Sequence, residues 1–406
     1  MRHYQRFLLS ATMTVVATAA HAQNARFSDG VIRIGVLNDQ SGPYADLAGE
    51  GSVVAARMAA EEFGNKIHGV PIEIVSADHQ NKPDVGAAIA RKWYDADGVD
   101  VIVDITNSAV SSAVNNLVKD RKKLVLHNSA SADLTGKGCE AHAAQWQYTT
   151  YVPTANVVNK DTIGHGTDKF FILAVDYALG QALATGFRGA VERAGGTIVG
   201  EVHHPLNTTD FSSFLLQAQA SGAKAVMLAD AGADLTTAIR QARDFGLTPK
   251  MQLLAGSLTN EVVQSVGLDT IQGMESVVWY DIYRSKESKA WATKFAARHD
   301  GKLPTEVHAS TYSSVFNYLK AVETADTDDA DSVIAELKTM KINDEFAANG
   351  HVRDDGAMVH DVYLVRLKAP KESAGAGDWY SVLKVIPGDE AYSPLSQSEC
   401  PLVRKP

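Results

Sequence analysis

The sequence predicts an α/β protein built from two doubly wound parallel-sheet lobes, joined by a hinge that the chain crosses three times. Three observations support this fold class. The 406 residues exceed the length of one ordinary domain. Short β-branched runs alternate with longer, Ala-rich amphipathic runs, as is typical of βαβ units. This alternation stops near Tyr151 and starts again at Phe170, which indicates two similar lobes.

The first lobe contains four predicted strands and three predicted helices in regular alternation. Pro83 precedes the second helix, in a position where proline favours helix initiation. The predicted strands cover residues 31–37, 71–76, 99–105 and 123–127, and the predicted helices cover 45–63, 84–94 and 108–119.

The second lobe repeats the pattern, and a different ending follows it. Its predicted strands cover 170–175, 197–202, 223–228 and 251–255, and its helices cover 180–193, 211–220, 235–245 and 260–266. Next come a strand at 275–280, helices at 288–298, 305–324 and 330–340, and antiparallel strands within 350–368 and 379–385.

An economical arrangement returns the late helices to lobe one and the late strands to lobe two. Lobe one would then comprise residues 28–150 and 281–346, lobe two residues 151–280 and 347–390, and a C-terminal tail residues 391–406. The chain would cross between lobes near Tyr151, Ser276 and Ala347, which makes a hinge of three segments.

The N-terminus has the pattern of a cleavable export signal. Arg2 and Arg6 precede an apolar run over residues 7–20, and Ala20-His21-Ala22 fits the small-x-small cleavage rule. A membrane anchor is disfavoured because the run is short for a bilayer and contains three threonines. We therefore expect a periplasmic protein whose signal, residues 1–22, is cleaved near Ala22.

Charge and motifs exclude several classes of function. The formal net charge is −10 and no Lys/Arg run occurs, so we expect no nucleic-acid partner. The sequence lacks a nucleophile elbow, a phosphate-binding loop and a zinc-protease helix, so we expect no enzyme and no cofactor. His203 and His204 are adjacent on a predicted strand, where neighbouring side chains diverge, so we expect no metal site.

Two cysteines, Cys139 and Cys400, occur in the whole chain. In an oxidising compartment such an isolated pair is interpreted first as one structural disulfide, since a metal site needs more ligands than two distant thiols. The bond would tie the C-terminal tail back to lobe one.

Ligands of open parallel sheets bind beyond the carboxyl ends of the strands, so the loops at these ends are the candidate site. In lobe one the candidates are Tyr44 after the first strand, Asn107 and Ser108 after the third, and Ser129 and Ser131 after the fourth. Hydroxyl groups and free N–H groups at a helix N-terminus suit a carboxylate. The alternative is that these residues are ordinary loop and capping residues.

In lobe two the candidates are Tyr177, Asp230, Ser257 and Tyr280, each near the end of a predicted strand. The tyrosines, with Tyr44, would line an apolar cleft that carries a few polar groups, as small-molecule sites usually do. The alternatives are that each tyrosine is a packed side chain and that Asp230 only caps a helix.

Four segments resemble the leucine/isoleucine/valine-binding family of periplasmic receptors, the type I solute-binding proteins of ABC importers. They are IRIGVLNDQSGPYADLAGEG, VDVIVDITNSAVSSAV, KLVLHNSASADLTGKGC and the closing SECPLVRKP. The resemblance covers almost all of the mature chain. It implies a two-lobed clamp, a carboxylate held by Asn107 or Ser108 with Ser129 and Ser131, and Tyr44 closing over the ligand. It also implies a Cys139–Cys400 pair, a membrane permease as partner, and a monomer.

One departure from the family bears on the ligand. Family members that bind amino acids place an acidic side chain after the strand that precedes Ser257, where this chain has Gly256, Ser257 and Leu258. A desolvated ammonium needs a paired anion. We therefore expect a small carboxylate with an apolar or aromatic body, with Asp230 as a possible substitute partner for an ammonium. The alternatives are a branched-chain amino-acid receptor and a ligand-sensing module of the same fold.

Overall fold

A computed structural model describes residues 26–158, 166–248, 250–256 and 258–404. The predicted export signal at residues 1–22 and the candidate Ser257 lie outside these described residues. Within the described ranges, no helix combines the length and the apolar character needed to cross a bilayer.

The first sheet has six strands in the order β2-β3-β1-β4-β5-β6. All neighbours are parallel except β2, which pairs antiparallel with β3. The strands are β1 (Ile32–Asn38), β2 (Lys66–Ile67), β3 (Val70–Asp78), β4 (Val101–Val103), β5 (Leu124–His127) and β6 (Ala143–Gln145). The connecting helices are α1 (Gly49–Glu62), α2 (Pro83–Asp95) and α3 (Ser108–Val118). We call this sheet and the helices packed on it the first body.

The central strands of this sheet are buried because helices cover both of its faces. In β1 all residues except Arg33 are buried, and in β4 all three are. Such continuous apolar strands are expected of a doubly wound parallel sheet. The sequence predicted four of the six strands; β2 and β6, with two and three residues, are too short to give a periodic pattern.

The second sheet has four parallel strands in the order β10-β9-β7-β8. They are β7 (Lys169–Val175), β8 (Thr197–His204), β9 (Ala225–Ala229) and β10 (Gln252–Ala255). The helices around them are α4 (Tyr151–Val157), α5 (Ala178–Ala194), α6 (Ser212–Ala220), α7 (Gly232–Asp244), α8 (Asn260–Val266) and α9 (Leu268–Ile271). This sheet and its helices form the second body.

The last third of the chain contributes helices and strands to both bodies. Its elements are β11 (Glu275–Val278), α10 (Lys286–Ala296), α11 (Glu306–Ala325), α12 (Ala330–Thr339), β12 (His351–Val352), β13 (Met358–Val359), β14 (Val362–Leu367), β15 (Tyr380–Ile386) and α13 (Gly388–Ala391). Helix α11 packs against α1 of the first body. Strands β11, β14 and β15 form an antiparallel sheet whose buried side chains join the core of the second body.

One segment differs from the predicted division. Residues 347–390 were expected in lobe two, yet the β12–β13 hairpin lies beside β6 of the first body. Gln145 N donates to Gly356 O at 2.8 Å, and Gln145 forms a bridge with Ala357. Gly356 has φ 82°, and a Cβ there would lie 2.9 Å from Ala143 O. The glycine therefore allows both the left-handed turn and the close approach to β6.

The predicted disulfide is confirmed, since Cys139 is bonded to Cys400 with a Cα–Cα distance of 5.6 Å. The bond spans 261 residues of sequence and attaches the tail to the loop before β6. The hydroxyl of Ser398 also donates to Thr135 O at 3.3 Å. The tail is thereby held against the first body.

Candidate functional site

A cavity of about 50 Å³ lies between the carboxyl ends of the two sheets. The first body contributes residues that follow β1, β4, β5 and β6, namely Tyr44, Leu47, Thr106, Asn128, Ala130, Gln147 and Tyr148. The second contributes residues that follow β7, β9, β10 and β11, namely Tyr177, Leu179, Ala231, Thr259 and Trp279. This is the position at which parallel α/β sheets bind their ligands.

Two tyrosines close one side of the cavity. The hydroxyls of Tyr44 and Tyr177 form a hydrogen bond across the cleft. The loop that carries Tyr44 is fixed by Asp39, whose carboxylate accepts from Gly42 N at 2.8 Å and from Tyr44 N at 3.0 Å. Burial raises the pKa of both tyrosine hydroxyls above their usual value, so both remain protonated donors and acceptors.

Several buried polar atoms of the cavity wall have no protein partner. They are Thr106 Oγ1, both side-chain polar atoms of Gln147, and Trp279 Nε1. Leaving such atoms unpaired in a protein interior costs about 1–3 kcal/mol each, so a buried group of this kind indicates a partner that is supplied by water or a ligand. All three side chains can donate a hydrogen bond, and none carries a charge.

Much of the wall is aromatic and apolar. The rings of Tyr148 and Trp279 pack with centroids 3.9 Å apart, tilted by 44°. Leu47, Leu179 and Val307 add aliphatic surface. Among the described residues that line the cavity, none is acidic or basic. The site can therefore bind a small molecule through uncharged hydrogen-bond donors and apolar contact.

Of the predicted first-lobe residues, Tyr44 lines the cavity. The other four lie beside it, and their sequence neighbours line it. Asn107 caps α3, where its Oδ1 accepts from Ala109 N at 2.9 Å and Val110 N at 3.1 Å. The hydroxyls of Ser108 and Ser129 lie 3.3 Å apart, and Ser131 N donates to Ser129 Oγ at 3.2 Å. These contacts use Oδ1 of Asn107 and the hydroxyls of Ser108 and Ser129.

The lining positions Thr106, Asn128 and Ala130 are each one residue away from a predicted position. In extended backbone, successive side chains point to opposite sides. An error of one residue therefore exchanges the side chains that face the cavity with those that face away from it. The amide of Asn128 is already used, since Nδ2 donates to Asp104 Oδ1 at 2.9 Å and to Thr311 Oγ1 at 2.8 Å. Its role in the wall is therefore structural.

The second-lobe candidates have different positions. Tyr177 lines the cavity, whereas Asp230 lies behind the lining residue Ala231, with Oδ1 accepting from Ala231 N at 2.8 Å. Tyr280 is fully buried away from the cavity, where its ring packs near Trp291 and Phe346 at centroid distances of 6.4 Å. Trp279 occupies the cavity instead, because alternate residues after β11 face opposite sides.

Sequence reasoning missed Gln147, Tyr148 and Trp279. Gln147 and Tyr148 follow β6, a strand that was not predicted, so the segment was not recognised as a strand end. The signal available was the cluster of aromatic and amide residues at Gln145-Trp146-Gln147-Tyr148, directly before the change of lobe.

Comparison with known proteins gives consistent matches over most of the chain. A family model described as periplasmic binding protein matches residues 31–376. A periplasmic binding protein from Burkholderia mallei is 41% identical, with a TM-score of 0.88, covering 92% of this chain and 100% of that one. A branched chain amino acid ABC transporter periplasmic ligand-binding protein from Burkholderia xenovorans LB400 is 38% identical, with a TM-score of 0.81, covering 91% and 99%.

A curated relative matches over a shorter stretch. Leu/Ile/Val-binding protein homolog 6 of Brucella abortus is 28% identical over 216 residues, which are 53% of this chain and 54% of that protein. The chain thus spans about half the length of this relative.

Proposed function

Since this chain belongs to the periplasmic binding protein family, of the leucine/isoleucine/valine-binding type with the type I fold, we propose that it is the periplasmic solute-binding receptor of an ABC importer. Its ligand is a small carboxylate with an apolar or aromatic body, bound in the cleft between the two bodies. The observation that carries the proposal is the set of uncharged, unpaired donors on Thr106, Gln147 and Trp279 at that cleft.

These donors suit a carboxylate. Its two oxygens accept up to four hydrogen bonds, and the hydroxyl, amide and indole groups supply N–H and O–H donors from both bodies. Hydrogen bonds to an ionised acceptor are about twice as strong as those between neutral groups. Because the donors come from both bodies, the ligand gains its full set of contacts only when the cleft is closed.

The remainder of the wall suits an apolar body. The Tyr148–Trp279 pair presents aromatic surface, and Leu47, Leu179 and Val307 complete it. A cavity of about 50 Å³ holds roughly three to five water molecules. A ring-sized ligand therefore enters only when hinge rotation separates the bodies and breaks the Tyr44–Tyr177 contact, which forms again as the cleft closes over the ligand.

A branched-chain amino acid is the second candidate. The relative from Burkholderia xenovorans carries that description, and it is 38% identical to this chain. An amino acid would place its carboxylate on the same donors, and its ammonium would have Gln147 Oε1 as an unpaired acceptor.

The proposal is tested by binding measurements on the mature protein. Benzoate, cinnamate, 4-methylpentanoate and leucine should be titrated calorimetrically, each beside its methyl ester, which lacks the anionic oxygens. At least one acid should bind, and its ester should not. Absence of binding for every acid, or equal binding of acids and esters, would contradict the proposal.

A variant locates the site. Thr106→Val keeps the shape of the side chain and removes the hydroxyl, so we expect roughly tenfold weaker binding of the acid, corresponding to about 1.4 kcal/mol. Thr293→Val, on an exposed face of α10, is the matched control and should bind normally. Equal affinities of the two variants would place the carboxylate elsewhere.

Closure and transport need separate measurements. Small-angle scattering should show a smaller radius of gyration at saturating ligand, and an unchanged radius would contradict hinge closure. Cells that lack the chain should take up less of the radiolabelled ligand. Unchanged uptake would contradict the importer assignment and leave the binding function intact.

A further inference from the structure

A buried ion pair lies directly behind the cleft wall. His204 ends β8 and Asp230 follows β9, with exposed fractions of 0% and 1%. His204 Nε2 lies 3.0 Å from Asp230 Oδ2. This distance is that of a close ion pair when His204 is protonated.

The second ring nitrogen determines the charge of His204. Nδ1 lies 3.0 Å from Pro205 O, which only accepts hydrogen bonds, so Nδ1 carries a proton. If the imidazole were neutral, the lone pair of Nε2 would face the carboxylate oxygen, which is repulsive. The arrangement is attractive when Nε2 is also protonated, and His204 is then a cation beside Asp230.

Asp230 is close enough to the cleft for its charge to act there. The next residue, Ala231, lines the cavity. Burial has the largest effect on the pKa of the cleft tyrosines Tyr44 and Tyr177 and raises both, their mutual contact acts next, and the negative charges of Asp230 and Asp234 add a smaller rise. Without a neighbouring cation, Asp230 would therefore be an anion of the second body placed directly behind the cleft wall.

We propose that His204 is a specificity-determining residue, because by neutralising Asp230 it leaves the cleft without an anion for the α-ammonium of a ligand. The cleft accordingly prefers carboxylates that lack an amino group over α-amino acids with the same carbon skeleton. A desolvated ammonium without a paired anion loses several kcal/mol. This inference rests on the proposed function, since it concerns the ligand of the same cleft.

Asp234 does not replace Asp230 in this role. It lies in the first turn of α7, where the N-terminal end of the helix dipole compensates a negative charge. Its Oδ2 also accepts from Asn207 N at 2.8 Å. Its carboxylate is thus committed to the loop that follows β8.

The test uses pairs of ligands that differ only in the α-amino group. Leucine is compared with 4-methylpentanoate, and phenylalanine with 3-phenylpropanoate, by calorimetry on the wild-type protein. At least one amine-free acid should bind ten times more tightly than its amino-acid counterpart. Tighter binding of the amino acids would overturn the inference and leave the receptor function standing. No binding in either pair would also overturn the inference, and would remove the proposed function only if benzoate and cinnamate fail to bind as well.

Two substitutions test whether the His204–Asp230 pair causes the preference for acids that lack an amino group. His204→Gln removes the cation, so the affinity ratio should shift about tenfold toward the amino acid, and adding Asp230→Asn should restore the wild-type ratio. An unchanged ratio in a folded H204Q protein would overturn the inference. If H204Q does not fold, the single variant Asp230→Asn is titrated with the same ligand pairs. Loss of amino-acid binding in this variant would identify Asp230 as the partner of the ammonium and overturn the inference. An unchanged affinity ratio would support it.

A metal ion is the other way to neutralise this pair, because ligand atoms of His204, Asp230 and Asp234 all lie within 4.8 Å of one another. Repeating the wild-type titrations after treatment with EDTA separates the two. An unchanged ratio supports the imidazolium, and a changed ratio would overturn its assignment as the neutralising group.

Discussion

The hydroxyls of Tyr44 and Tyr177 meet in a hydrogen bond across the cleft, although 133 residues separate them in sequence. Tyr44 follows β1 of the first sheet, and Tyr177 follows β7 of the second. Equivalent loops of the two bodies thus provide the contact, so a substitution in either one changes how the bodies meet without removing core side chains.

Replacing Tyr177 with phenylalanine should weaken ligand binding about fivefold. The change leaves the Tyr44 hydroxyl unpaired in the closed form, and a typical hydrogen bond contributes about 1 kcal/mol. Calorimetric titration with the acid that binds most tightly in the ligand screen measures the effect. Tyr392→Phe is the control, because the Tyr392 hydroxyl is buried without a partner. Equal losses in both variants would show that the cross-cleft contact has no role in binding.

Gly232→Ala should hinder closure of the cleft. A Cβ at Gly232 would lie 3.2 Å from Pro43 O and 3.4 Å from the Tyr44 ring, both on the opposite body. Its φ of 62° also strains any other residue, and Gly246→Ala is matched for that strain, with φ 66° and open space around its Cβ. Scattering at saturating ligand should show a larger radius for the Gly232 variant alone. The same radius for both variants would contradict the steric argument.

Glu306→Gln should reduce the pH dependence of stability between pH 7 and 8. Burial raises the pKa of Glu306 to about 8, against an ordinary value of 4.5, although both oxygens accept from Asn260 N at 3.0 Å. The folded state therefore binds this proton more tightly, so the contribution of Glu306 to stability is fully present below pH 4.5 and decreases as the pH rises toward 8.

Between pH 7 and 8, the buried histidines, whose effect on stability has the opposite sign, contribute little. Buried His127 and His308 have pKa values lowered to about 3, so they change stability only below their unfolded value near 6.5. Urea unfolding should show that the free energy of unfolding of the wild type falls by up to about 1.4 kcal/mol from pH 7 to pH 8, and that it falls by less in E306Q. The exposed Glu192→Gln is the control, and a slope in E306Q equal to that of the wild type would contradict the assignment.

Removing the disulfide by Cys139→Ser with Cys400→Ser should lower the free energy of unfolding by up to about 5 kcal/mol. A bond that spans 261 residues restricts the unfolded chain strongly, and loop entropy grows slowly with length. Urea unfolding of the double variant measures the loss. The single variant Ser398→Ala, which removes the hydrogen bond from the tail to Thr135 O and the one that Ser398 Oγ accepts from Cys400 N, should lose about 1–2 kcal/mol. A double variant as stable as the wild type would contradict the entropic account.

The sequence predicted the long periodic elements well, because their patterns are set by burial on one or both faces. Helix α8 was predicted at its observed bounds, Asn260–Val266, and β11 within two residues of its observed end. The short strands β2 and β6 were missed because two or three residues give no period. The predicted strand ends surround the cavity between the two bodies, whereas Tyr280 points away from it and Trp279 lines it, since an error of one position reverses the direction of a side chain.

The two ends of the described chain are attached to the same body. Ser28 N donates to Asp328 at 2.8 Å, in the turn between α11 and α12, and Cys400 is bonded to Cys139. A tag or surface tether at either end therefore holds the first body and leaves the second body free to rotate. Fluorescent reporters for closure should accordingly carry one dye at an end of the chain and the other on the second sheet.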